Sequence, residues 1–367
     1  MKARLVAANA VFFPAAAAYA ALALPASVFS MSGALGALPG LASPVGHAHE
    51  MLFGFALAVV AGNQLGPANP NRLAVLLALW AAARAAFDLA PLSVTALVTN
   101  GLFAALLAAL LAPRLLGAAK KLRNQALPFT LLAICAADVV FHRAPRASLS
   151  VALLLFALLL LFMGGRIIAP AVAGQFYRQG EKLDARVQPR TEAGLIVTMA
   201  LAVAASAFPP TAVTASLAGA ATAAAGLLAA VRLARWRLWA LRGRPDLLCL
   251  AAGYAWLALG LLLYGAALAA GQRQTAALHV ITVGGLGTLT LNVMAMTTAL
   301  KARRDPARAR LPIWGTLLVG GATVARALAG AEGAQSQRLL LLAALCWSSA
   351  FALLLVEFAR PTRLDPS

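Results

Sequence analysis

Long apolar runs separated by short polar breaks organise the whole chain. A helix needs roughly 20 mainly apolar residues to cross a bilayer, and the runs fall at 5–24, 48–65, 72–89, 91–112, 124–142, 149–170, 192–208, 211–232, 246–270, 276–300, 312–330 and 338–359. The pattern predicts an all-α polytopic membrane protein, a bundle of about twelve transmembrane helices. It reads as a single transmembrane domain over 1–367, with no internal repeat and no room for a water-soluble domain.

Composition supports this reading. The chain has 367 residues, 62% hydrophobic and 11% charged, against about 45–50% and about 25% in a soluble domain, and its mean hydropathy is +0.85. A net charge of +19 would suggest nucleic acid in a soluble protein. Here the basic residues serve instead to hold cytoplasmic loops inside. If the chain starts inside, the clusters around Lys120 and Lys121, Lys182 and Arg186, Arg235 and Arg242, and Arg303 and Arg308 all fall on the inner side. The outer loops hold only Arg143, Arg146, Arg273 and Arg338. Both termini are therefore expected in the cytoplasm. Lys2 and Arg4 before an apolar run, with Ala21-Leu22-Ala23 beyond, resemble a secretory leader; the run is long enough to span, and its removal would leave an odd number of helices. Cys135, Cys249 and Cys346 lie far apart in apolar segments and suggest neither a disulfide framework nor a metal knuckle.

Chemistry is sought among the polar residues that a membrane tolerates poorly. The four histidines, His47, His49, His142 and His279, all fall at the outer ends of spans in this orientation. Neutral imidazole ligates haem iron, copper and zinc, and ligands from separate helices can clamp a planar macrocycle. In a helix His47 and His49 stand about 200° apart, so they do not share one metal there. Each histidine could equally be an interfacial residue satisfied by hydrogen bonds. Asp138 and His142 share a face of the fifth span, which makes Asp138 a partner that could orient the imidazole. Arg84 and Asp88 have the same spacing and read as an internal ion pair. Glu50 either handles protons or caps its helix N-terminus. Arg326 is placed to pair with a propionate or with Glu332.

Glycines mark two further stretches, Gly164-Gly165-Arg166-Ile167-Ile168 and Gly284-Gly285-Leu286-Gly287, where a backbone or a flat cofactor can approach closely. Thr288, Thr290, Asn292 and Thr297 then line a buried span. Met294 and Met296 are soft enough for copper, though core filling explains them as well.

These residues resemble a known family. His47-Ala48-His49-Glu50-Met51-Leu52-Phe53-Gly54-Phe55 with Val60-Ala61-Gly62, the Gly164–Ile168 block, Val231-Arg232-Leu233-Ala234-Arg235-Trp236, Gly253-Tyr254-Ala255-Trp256-Leu257, and Ala277-Leu278-His279 with Thr282-Val283-Gly284 are similar, in order, to blocks of the NnrS family. That resemblance implies a multi-pass protein of the bacterial cytoplasmic (inner) membrane that carries haem, b-type by expectation, with copper associated, and acts in the nitric oxide response. Carried over by position, it makes His47, His49 and His279 the leading metal-ligand candidates, places His142 where many members have a helix-ending histidine, and matches Arg166 to the family arginine; read from the residues themselves, Arg326 joins the expected cofactor site, and Glu50, Asp138 and Asn292, with Arg166, take supporting or proton-handling roles. The chain departs from the family at Ala299-Leu300-Lys301-Ala302-Arg303, which lacks a histidine, and at Asn63-Gln64-Leu65-Gly66.

The expected function is to bind or detoxify nitric oxide at a haem near the outer leaflet, with turnover and electron donor left open. Four histidines are too few for a haem–copper oxidase architecture. Two rivals stand beside it: a twelve-helix secondary transporter using Arg84, Asp88, Asp138 and Arg326, and a protein that passes haem or copper to a partner enzyme.

Overall fold

The computed structural model describes residues 5–34, 36, 38–118, 122–330 and 334–360. Glu332, Lys2, Arg4, Lys120 and Lys121, which entered the reading above, lie outside them. The described residues form twelve continuous helices: α1 (Asn9–Met31), α2 (Pro44–Gln64), α3 (Pro70–Leu89), α4 (Val94–Ala118), α5 (Leu122–Phe141), α6 (Pro145–Arg178), α7 (Pro189–Ala207), α8 (Ala212–Arg235), α9 (Pro245–Ala269), α10 (Thr275–Lys301), α11 (Arg310–Leu328) and α12 (Ala334–Ala359). A two-residue antiparallel bridge joins β1 (Val6–Ala7) to β2 (Pro67–Ala68). The chain is an all-α polytopic membrane protein, and ten of its helices are long and apolar enough to cross a membrane. The other two expected spans are also helical. α3 carries Arg72, Arg84 and Asp88, and the apolar part of α5 is the shorter stretch Gln125–Phe141.

Helix starts follow local chemistry. Proline opens α2, α3, α6, α7 and α9, where its missing N–H would have found no partner in any case. The Ser43 side chain accepts from the Gly46 N–H at 3.0 Å, Asn69 caps α3, and Thr211 with Thr214 forms a capping box on α8.

Three helices contain π-helical stretches: Glu50–Ala56 in α2, Gly164–Ile168 in α6 and Val280–Gly287 in α10. Such wide turns concentrate at functional sites. All three coincide with blocks singled out in the sequence.

The described chain divides into two compact units, Met1–Leu153 with Trp347–Phe358, and Leu154–Cys346 with Ala359–Ser367. In the first, α2 is packed from several sides: Phe53, Phe55, Leu57 and Ala61 are wholly buried, and the Phe55 ring stands edge-on to Phe351 of α12 at 5.2 Å. The Trp347 indole donates to the Ala20 carbonyl at 3.0 Å, tying α12 to α1. In the second unit the alanine-rich α8 lies backbone to backbone against α9. A Cβ on Gly226 would come within 2.7 Å of the Leu262 nitrogen and 2.8 Å of the Ala258 oxygen, so small residues set this contact, as expected from composition.

Candidate functional site

In the first unit, the N-terminal half of α2 carries a buried polar network. His49 and Glu50 are both fully buried. His49 Nδ1 lies 2.9 Å from Glu50 Oε1, and its Nε2 lies 3.2 Å from Asp138 Oδ1 on α5. The imidazole stacks on Phe87 with ring centroids 4.0 Å apart and is closed in by Phe141 at 4.3 Å and Phe53 at 5.2 Å. This cage lets almost no water reach the ring, so hydrogen bonding at both nitrogens is what makes its burial tolerable.

Glu50 is the centre of the network. Arg84 Nη1 donates to Glu50 Oε1 at 2.6 Å, and the Tyr19 hydroxyl donates to Glu50 Oε2. Arg84 Nη2 also donates to the side-chain Oδ1 of Asn100 on α4. The half-buried Asp88 lies 3.4 Å from the same tyrosine hydroxyl. Around these groups the Trp80 indole donates to the Gly54 carbonyl at 2.9 Å, within the π-helical stretch. A carboxylate shared by a guanidinium, an imidazole and a phenol is charge-balanced inside the apolar unit, where an isolated ion would be very costly.

Two expected pairings take other partners. Arg84 is bonded to Glu50 rather than to Asp88 four residues on, because Glu50 has no solvent and needs a cation more than the half-buried Asp88 does. Asp138 reaches His49 rather than His142. Tyr19 and Asn100 were not anticipated. Their signal was an isolated polar side chain in an otherwise apolar helix, which is costly unless it is partnered.

The remaining first-unit histidines differ. His47 is half-buried in the first turns of α2. His142 follows the last residue of α5, and its Nε2 is buried with no hydrogen-bond partner among the described residues. The rings of His142 and His49 are 6.3 Å apart.

In the second unit, His279 ends the first turn of α10, just before the π-helical stretch. Its Nδ1 lies 2.7 Å from the Thr275 carbonyl. A carbonyl only accepts, so Nδ1 carries the proton and Nε2 is the lone-pair nitrogen of the neutral ring. The first turn of α10 packs on α11. There Arg326 is half-buried and makes no ion pair or hydrogen bond with described residues. Asn292 is committed within the unit, donating to the Thr288 carbonyl at 2.9 Å and to Thr316 Oγ1 at 2.8 Å. Met294 is fully buried. Arg166 is exposed on the π-helical turn of α6. The glycines beyond His279 serve protein packing: a Cβ on Gly284 would meet the Trp256 side chain at 2.9 Å and Thr323 at 3.0 Å.

The donor sets can be compared with what a cofactor needs. Among the described residues no three His, Cys, Asp or Glu side chains stand together so as to hold a metal ion, so a copper site made by the protein alone finds no such group. A haem requires only one or two axial imidazoles. A ligating histidine usually donates its other ring N–H to a carbonyl or carboxylate, and His279 has that arrangement. Iron on either nitrogen of His49 would have to displace Glu50 or Asp138.

Sequence comparison agrees with the blocks noted above. The family model described as NnrS protein matches residues 8–362. No curated protein and no solved structure matches the chain. With nearly its whole length covered, the chain belongs to the NnrS family, membrane proteins of the nitric oxide response.

Proposed function

We propose that this chain is a haem-bearing protein of the bacterial cytoplasmic membrane that binds nitric oxide, in which His279 would hold the iron and Arg326 would pair with a propionate. The observation that carries this reading is the presence of two features on neighbouring helices of the second unit. His279 has its Nδ1 proton committed to Thr275, and Arg326 has no ionic partner among the described residues on the helix packed beside it. Consecutive antiparallel helices bring the start of α10 near the end of α11, so an imidazole and a guanidinium are offered together.

When bound, ferrous haem supplies a coordination position for the gas. The chain's own residues do the rest. The Thr275 carbonyl fixes the tautomer and orientation of His279, and Arg326 offsets a carboxylate that the apolar surroundings would otherwise disfavour. Nitric oxide partitions into the bilayer and needs no channel. Within the first unit, His142 is an imidazole whose Nε2 has no hydrogen-bond partner among the described residues. His49, held between Glu50 and Asp138, serves there as a fixed part of the polar network.

The test is the absorbance spectrum of protein purified from haem-replete cells, with and without nitric oxide. A Soret band that moves on adding the gas is expected. His279→Ala should lose that band while the protein remains in the membrane at normal level. A colourless, iron-free preparation overturns the reading and favours the transporter, and full haem retention in His279→Ala overturns the choice of ligand.

A further inference from the structure

A second polar cluster lies in the second unit, away from α10's histidine turn, and three of the sequence blocks meet in it. Arg232 near the end of α8, Trp236 just after it and Tyr254 of α9 are 4%, 0% and 0% exposed. The Arg232 guanidinium carbon lies 5.5 Å from the centre of the Trp236 ring, and the Trp236 and Tyr254 rings are 5.0 Å apart. The third block provides room: a side chain at Gly165 would occupy the position of the Arg232 guanidinium, and one at Gly164 that of the Tyr254 ring.

Arg232 is only partly used. Its Nη1 donates to the Leu161 carbonyl at 3.0 Å and its Nη2 to Glu192 Oε1 at 2.9 Å. Among the described residues its Nε–H has no acceptor, and neither has the Trp236 indole N–H. The Tyr254 hydroxyl faces the guanidinium, a group that only donates, so the hydroxyl proton is without an acceptor too. Three buried donors therefore share one cluster in which none of them has a formed hydrogen-bond partner among the described residues.

Buried donors are almost always satisfied, and the missing partner can be characterised from what is lacking. A water molecule accepts two hydrogen bonds and brings two donors of its own into a cluster already short of acceptors. An oxyanion brings lone pairs only. The charges also permit one, since the exposed Arg166 interacts electrostatically with Glu192, leaving two guanidinium groups against one carboxylate. We propose that Arg232, Trp236 and Tyr254 bind a small planar oxyanion with two coplanar oxygens, of the nitrite or carboxylate class. This site is independent of the haem reading.

Sodium nitrite and sodium formate are the probes, titrated into purified full-length protein against sodium chloride at matched ionic strength, with thermal unfolding and tryptophan fluorescence as readouts. Saturable stabilisation by nitrite or formate but not chloride is expected. The stronger of the two indicates whether the natural source is a free inorganic anion or a carboxylate group. Tyr254→Phe removes one donor and keeps the ring, Trp236→Phe removes another and leaves a smaller aromatic ring, and each should weaken binding about tenfold or more. His279→Ala should bind the probes as the parent protein does, which separates this site from any haem iron. The proposal is overturned if neither anion gives a response beyond that of chloride. It is also overturned if both phenylalanine variants bind unchanged, or if the response disappears in His279→Ala.

Discussion

His49 and Glu50 are adjacent in sequence and bonded to each other, Nδ1 to Oε1 at 2.9 Å. Neighbours along a helix do not ordinarily face one another. The contact occurs where the regular turn gives way to the π-helical stretch that begins at Glu50, and it leaves the carboxylate still able to receive Arg84 and Tyr19.

The first prediction concerns that shared carboxylate. Glu50→Gln strands the buried Arg84 and should destabilise the protein by about 3–5 kcal/mol, as removal of one member of a buried ion pair does. Asp138→Asn removes a partner from His49 alone and should cost less. Thermal unfolding in detergent ranks the two, and equal losses would show that Glu50 is not the centre of the network.

The Trp80 indole gives a milder test. Trp80→Phe keeps an aromatic ring but removes the bond to the Gly54 carbonyl and part of the buried indole, so a loss of about 2–3 kcal/mol is expected. Unfolding measurements that detect no change would mean that the π-helical stretch does not depend on this bond.

Packing between α8 and α9 is tested at Gly226. Gly226→Ala places a methyl group against the backbone of Leu262 and Ala258, which cannot give way as a flexible side chain would. Overpacking of this kind costs about 1–3 kcal/mol. Gly243→Ala, where a Cβ meets nothing within 4 Å, is the control and should leave the melting temperature unchanged.

Thr316→Val is isosteric but removes the hydroxyl that accepts from Asn292. A buried amide left without that acceptor should cost about 1–3 kcal/mol. Asn292→Leu combined with Thr316→Val should recover part of the loss, since neither polar group then remains unpaired; the double-mutant cycle measures this.

Orientation is open to chemical labelling. With Cys135, Cys249 and Cys346 replaced by alanine, Gly271→Cys should react with an impermeant maleimide applied outside intact cells, and Gly243→Cys only after the membrane is opened. The reverse pattern would invert the assignment made from the basic residues.

Most of the architecture was legible because membrane burial is written in composition. All twelve apolar runs are helical, and prolines mark several of their starts. The polar pairings were less legible. Spacing rules compare residues within one helix, so they offered Asp88 to Arg84 and Asp138 to His142. The actual partners, Glu50 and His49, come from another helix, and burial decides between the rivals. The π-helical stretches were invisible for a different reason. They differ from ordinary helix in hydrogen-bond register, and no residue type encodes that choice by itself. The cluster at Arg232 was present in the sequence only as three separate blocks, with nothing to indicate that they would meet.

The wide turn in α2 gives the chain one residue of slack between its histidine-bearing start and the rest of the helix. Since each residue turns an α-helix by about 100°, winding these same residues as a regular α-helix between Glu50 and Ala56 would swing the imidazole away from Asp138, while every side chain of the cage stayed in the chain. The phase of the winding, as much as the identity of the residues, keeps that ring between its two carboxylates.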